Sequence, residues 1–210
     1  MKTILPFCLL LLASSVCLAD KNVDISPVLA KPIAVVLDES FDAGDLDKKV
    51  WAAVKGDWQS ADGAIVGKEL KADMHAAVLS CQKKNRNSVV RFSFKLDDST
   101  DGFHFSLNYA RGHLFRALVS PTGLVVRTDA DKKDKSIKSE TIGSAKGTFE
   151  QGKWYTMQVE MVGNKVVVMT DNGLKVTAEN ARLDADKPNY RFVMRGESIK
   201  IDDVKIWNAE

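Results

Sequence analysis

Apolar residues recur at every second position through most of this chain, the period of a half-buried β-strand. Over residues 88–96, Val90, Phe92, Phe94 and Leu96 fall on one face and Arg91, Ser93 and Lys95 on the other. Over 102–109, Phe103, Phe105, Leu107 and Tyr109 alternate with His104, Ser106 and Asn108. Further strands are predicted over 33–37, 76–81, 113–119, 124–128, 173–177 and 190–195. Asp62-Gly63 predicts a tight hairpin within 58–67, and a Gly-Asn turn at 163–164 joins two more strands over 152–163 and 164–170. The last strand, over 198–207, carries Ile199, Ile201, Val204, Ile206 and Trp207 in an alternation that Asp202-Asp203 interrupts. No stretch beyond residue 19 reads as an amphipathic helix of three turns. About a dozen short strands in one domain leave a sandwich or a barrel.

The N-terminus changes the picture of where the chain works. Lys2, an apolar run over 4–13 and Cys17-Leu18-Ala19 have the layout of an export signal cleaved after Ala19. The expected organisation is a signal peptide over 1–19, a leader over 20–32 containing Pro27 and Pro32, and a single β-sandwich domain over 33–208. The expected location is periplasmic or extracellular. No later segment has the roughly 20 apolar residues of a membrane span. Loss of Lys2 takes the 30 basic residues to 29 against 28 acidic ones, a balance that gives no footprint for nucleic acid. Two of the three cysteines lie in the signal, so Cys81 has no internal partner and is expected to be a small buried apolar residue rather than a nucleophile.

Several motifs carry a family resemblance. Phe41-Asp-Ala-Gly-Asp-Leu-Asp-Lys-Lys-Val-Trp51, Gly56-Asp-Trp58 and Asp62-Gly63 resemble the opening of the 3-keto-disaccharide hydrolase domain family. Gly67-Lys-Glu-Leu70 with His75, Gly112-His-Leu-Phe-Arg116, Gly152-Lys-Trp-Tyr155 and Asp202-Asp-Val-Lys-Ile-Trp207 resemble exported bacterial proteins similar to glycoside hydrolase family 16. The strand order at the C-terminus resembles the concanavalin A-like lectins and glucanases. The resemblance implies an all-β, antiparallel two-sheet jelly-roll sandwich with a polysaccharide or oligosaccharide as partner. It implies glycan binding or an accessory role in polysaccharide breakdown. The alternatives are a hydrolase or lyase acting on (3-keto-)glycosides, or a structural envelope protein. The sequence departs from family 16 at its chemistry: no Glu-x-Asp-x-(x)-Glu strand is present. Asp97-Asp98 and Asp202-Asp203 are adjacent pairs whose side chains point to opposite faces of a strand.

Among polar residues, His104, Asn108, His113 and Arg116 form the candidate substrate-binding set. The turn at Arg111-Gly112 brings the two strands together, and such a face suits sugar hydroxyls; the competing reading is a solvated outer face. The candidate catalytic groups are Glu69, His75, His104 and His113, with an imidazole as acid or base. Glu69, Asp73 and His75 have weak metal-site spacing, and surface polarity is the simpler reading. No cofactor is expected beyond a structural calcium at Asp38, Asp202 or Asp203, against which stands a bulge with solvated carboxylates. Trp51, Trp58, Trp154 and Trp207 are expected in the core rather than stacked on sugars. Residues 129–140, dense in Asp and Lys, read as a solvated loop tip. Phosphate loops, a Gly-x-Ser-x-Gly elbow and Cys-x-x-Cys pairs are absent.

Overall fold

A computed structural model describes residues 25–210. The expected signal over 1–19 and the leader as far as residue 24 lie outside the described residues. Fifteen strands, numbered along the chain, form two antiparallel sheets. Sheet A runs in the order β13 (Lys175–Glu179), β12 (Lys165–Thr170), β11 (Trp154–Val162), β6 (Ser88–Leu96), β15 (Ile199–Ala209), β4 (Ala64–Lys68), β3 (Asp57–Ala61). β1 (Pro32–Glu39) pairs with the second half of β15, beyond the stretch that pairs with β4. Sheet B runs β10 (Glu140–Lys146), β9 (Gly123–Thr128), β8 (Gly112–Ser120), β7 (Thr100–Tyr109), β14 (Tyr190–Gly196), β5 (Ala77–Cys81), β2 (Trp51–Lys55). Among the described residues no helix is long and apolar enough to cross a membrane.

Period-two alternation places the core between the sheets. Phe92 and Phe94 of sheet A meet Phe103, Phe105 and Phe192 of sheet B; Phe92 packs edge-on to Phe192 at 5.0 Å between ring centroids. Such ring pairs add about 0.5–1.5 kcal/mol beyond the area they bury. Cys81 is fully buried among them, and desolvation pushes its thiol up to about 12, leaving an inert core residue.

The Asp202-Asp203 interruption is a β-bulge. The register of β15 against β6 slips between Asp202 and Lys205, with Asp203 at φ 50°. One extra residue returns Val204 and Ile206 to the core after Ile199 and Ile201, where strict alternation would have turned them outward. The Asp62-Gly63 hairpin forms with both residues at positive φ, as a type I′ turn requires. Gly56, at φ +78°, is required by close packing: a Cβ there would lie 2.3 Å from the Ala77 Cβ and 2.5 Å from the Lys68 carbonyl oxygen.

Several sequence expectations need correction. Trp51 and Trp58 are in the core, but Trp154 and Trp207 lie half-buried on the outer face of sheet A. There Lys95 sits over Trp154 at 5.3 Å, and Arg91 and Lys205 over Trp207 at 5.7 and 5.6 Å. Residues 129–140 are more than a solvated tip, because Asp129 and Asp131 are buried and ion-paired. Asp38 is committed to Lys205 at 2.6 Å. Among the described residues no three His, Cys, Asp or Glu side chains gather as a metal set.

The leader docks as a strap on sheet A. The Glu160 carboxylate, fully buried on β11, accepts from the backbone N–H groups of Val28, Leu29 and Ala30, and from Gln158 Nε2 at 2.9 Å. Arg91 donates to Gln158 Oε1 and, at 2.5 Å, to the Ile25 carbonyl. Ala30 packs on Val89 and Ala209. The strap covers part of one outer face of the sandwich, and among the described residues the outer face of sheet B has no such cover.

Candidate functional site

On sheet B the side chains that alternate with the core point outward. β7 contributes His104, Ser106 and Asn108 because Phe103, Phe105 and Leu107 take the interior. The register lines up Ser80, Arg191, Ser106, Arg116, Arg127 and Thr141 across β5, β14, β7, β8, β9 and β10. Asn108 pairs with His113 at the β7–β8 end. The structure therefore brings His104, Asn108, His113 and Arg116 onto one face, as the sequence expected. It adds Arg191, Arg127, Ser106 and Asp129.

Two guanidiniums meet one carboxylate here, and a third holds its backbone. Asp129 accepts from Arg116 Nε at 2.7 Å and from Arg127 at 3.1 Å. The Arg182 guanidinium donates to the Asp129 carbonyl at 2.6 Å, fixing the chain where it leaves β9. Beyond it Asp131 accepts from the Tyr109 hydroxyl, which holds its carboxyl below the usual range, and from Arg111 Nε at 3.0 Å. Arg191 donates to Asn108 Oδ1 at 3.2 Å and lies 3.0 Å from His113 Nδ1, itself 2.9 Å from Asn108 Oδ1. Burial, and then the charge of Arg116, lower the Arg191 pKa.

The histidines are held neutral. Burial, followed by the Arg116 charge, takes His104 down to about 3. His113 is lowered by burial and then by Arg191 and Arg116. Among the described residues His104 makes no hydrogen bond, and Arg116 uses only its Nε, so its two terminal nitrogens are uncommitted. Ser106 is 3% exposed, yet its Oγ meets no hydrogen-bond partner. Leaving such a group unsatisfied costs about 1–3 kcal/mol. A cavity of about 450 Å³ opens beside this row, lined by His104, Arg116, Leu118, Val125, Arg127 and Arg195 among others.

Glu69 and His75 are elsewhere. They line a neighbouring depression of about 440 Å³, with Arg195 bordering both. Glu69 pairs with Arg195 at 3.0 Å and accepts from the Gly196 N–H at 2.8 Å. Asp73 accepts from the Gly56 N–H at 2.6 Å, which lowers its pKa and makes it a clasp for that tight turn. The exposed His75 ring is turned to the Ala76 carbonyl. No hydrogen bond among the described residues joins Glu69 or His75 to His104 or His113. Arg127 and Arg191 were legible only as outward positions in alternating strands. Asp129 was hidden in the charged run that follows β9.

No protein-family model matches the sequence, and no curated protein matches it significantly. Solved structures share its architecture at low identity. The carbohydrate-binding module CBM66 from Bacillus subtilis superposes with a TM-score of 0.61 at 12% identity, covering 75% of this chain and 95% of the module. The fold is the concanavalin A-like jelly roll. SCLam, a non-specific endo-β-1,3(4)-glucanase of family GH16, gives 0.61 at 12% identity over 86% of this chain and 95% of the enzyme. LamAcat from Zobellia galactanivorans gives 0.59 at 12% over 83% and 97%.

Proposed function

We propose that this chain is an exported glycan-binding jelly roll, accessory to polysaccharide recognition or breakdown, that takes a sugar chain on the outer face of sheet B. The observation that carries the reading is the set of uncommitted donors and acceptors there, beside a cavity: the neutral His104 ring and the terminal nitrogens of Arg116. Sugar hydroxyls are matched by such groups, and a neutral imidazole both donates and accepts. The likeness of the fold to a carbohydrate-binding module and to glucanases supports the same direction.

Binding is favoured over hydrolysis by the state of the same side chains. Hydrolysis with retention uses two carboxyl groups about 5 Å apart. On this face the row's carboxylate, Asp129, is engaged by two arginines, and Glu69 is engaged by Arg195. A His104 with a pKa near 3 is a neutral ring at neutral pH, with no imidazolium proton to deliver as a general acid and little basicity as a general base. Affinity electrophoresis through gels of neutral and acidic polysaccharides tests the reading. At least one polysaccharide should retard the protein, and His104→Ala should run faster in that gel. Failure to be retarded by any of them removes the proposal. Turnover of 3-keto-glucosides or β-glucans that is lost in His104→Ala would replace it with the hydrolase alternative.

A further inference from the structure

The charge on this face narrows what the ligand can be. Arg191, Arg116 and Arg127 stand in register on β14, β8 and β9, and among the described residues Asp129 is the one carboxylate bonded to any of them. Both nearby histidines are neutral, so three guanidiniums against one carboxylate leave an excess of two positive charges. Arg195 adds none, because Glu69 pairs with it. This excess is local, since the chain as a whole is close to neutral. Between Arg191 and Arg116, in the same row, lies Ser106, whose buried hydroxyl has no acceptor or donor in the protein.

The guanidiniums of Arg191 and Arg116, on either side of Ser106, are donors that match the oxygens of a carboxylate or sulfate, and arginine is the side chain suited to planar, two-pronged contact with such groups. A neutral sugar would leave this charge uncompensated in a partly desolvated place. We infer that the glycan bound on sheet B is acidic, with a uronate carboxylate or sulfate ester seated on the Arg191 and Arg116 guanidiniums. The inference rests on the glycan-binding reading above and specifies the chemical class of its ligand. His104, Leu118 and the adjoining cavity then take the neighbouring, uncharged part of the sugar chain.

Isothermal titration of the wild-type protein separates the outcomes without any mutation. The probes are oligogalacturonate, a sulfated oligosaccharide and neutral laminari-oligosaccharides, each at low and at 0.5 M salt. The inference expects one of the two acidic ligands to bind, neutral ones to bind at least about tenfold more weakly, and the acidic affinity to fall as salt rises. Whichever acidic ligand binds identifies the group as carboxylate or sulfate. Equal, salt-insensitive binding of neutral oligosaccharides overturns the acidic ligand while keeping the glycan-binding reading. No binding of any probe overturns both. Arg191→Gln should weaken the acidic ligand by about tenfold or more, the loss of a charge-assisted contact, and Arg191→Lys should recover part of it.

Discussion

On the outer face of sheet A, Glu160 is completely buried and takes four donors, three from the strap backbone and one from Gln158. On the outer face of sheet B, Ser106 is nearly as deeply buried and its hydroxyl has no partner. Both faces arise from the same alternation on strands packed against one aromatic core. The difference is what lies on top. Sheet A receives a segment from about 130 positions earlier in the chain, whose backbone N–H groups satisfy the carboxylate. Among the described residues sheet B receives no such segment: its outer face carries the side chains of its own strands with Asp129 and Arg182 from the connections between them, and the Ser106 hydroxyl is left unmatched. A buried polar group left unsatisfied costs stability.

The contrast breaks most sharply at Glu160. Glu160→Ala removes the acceptor of the Val28, Leu29 and Ala30 donors, of which the Ala30 bond is buried, and since a buried unsatisfied group costs about 1–3 kcal/mol, the fold should lose about 1–3 kcal/mol in urea unfolding. Amide exchange at those three positions should accelerate before the rest of sheet A responds. Unchanged protection there would mean that the strap is held by other contacts.

A smaller effect tests whether sheet B truly excludes a proton. His104 has a folded pKa of about 3 against an ordinary value of 6.5, so between these values the unfolded chain binds the extra proton. Stability is therefore full above pH 6.5 and falls as pH drops toward 3. Above the carboxylate range, between about pH 6.5 and 5, histidine titration dominates this slope. His104→Gln should flatten it, leaving the contribution of His113, which is lowered in the same direction. An identical slope in the variant would place His104 in water.

The smallest effect is the most diagnostic. Ser106→Ala removes a hydroxyl with no partner, so unfolding free energy should stay within about 0.5 kcal/mol of the parent or rise by up to about 1 kcal/mol. A loss above about 1.5 kcal/mol would mean that the hydroxyl is satisfied in solution, and the two faces would no longer differ in kind.

Alternation made most of this architecture readable from residues alone, including the assignment of His104, Ser106 and Asn108 to one face. β10 escaped because it has no apolar period. Gly143 stands where a Cβ would come within 2.4 Å of Val176 Cγ1 on β13, so contact between the two sheets' edge strands demands small residues there. β2 escaped because Trp51 is its single buried residue. The candidate site was half legible: β7 and β8 are joined by a short turn, and their pairing follows from it. Arg191 reaches Asn108 from 83 positions away, and Asp129 reaches Arg116 only because β9 folds back beside β8. Such meetings are set by strand order, which periodicity does not encode. Glu69 and His75 share a depression away from His113, and their hydrogen-bond partners are the β14 end and the local backbone.

Lys31 and Glu210 exchange backbone hydrogen bonds in both directions, at 2.9 and 3.1 Å, where β1 runs beside β15. A cargo protein or solid support coupled after Glu210 would thus emerge from sheet A, next to the entry of the strap. The arginine row belongs to the other layer, so immobilisation through that end leaves it facing outward.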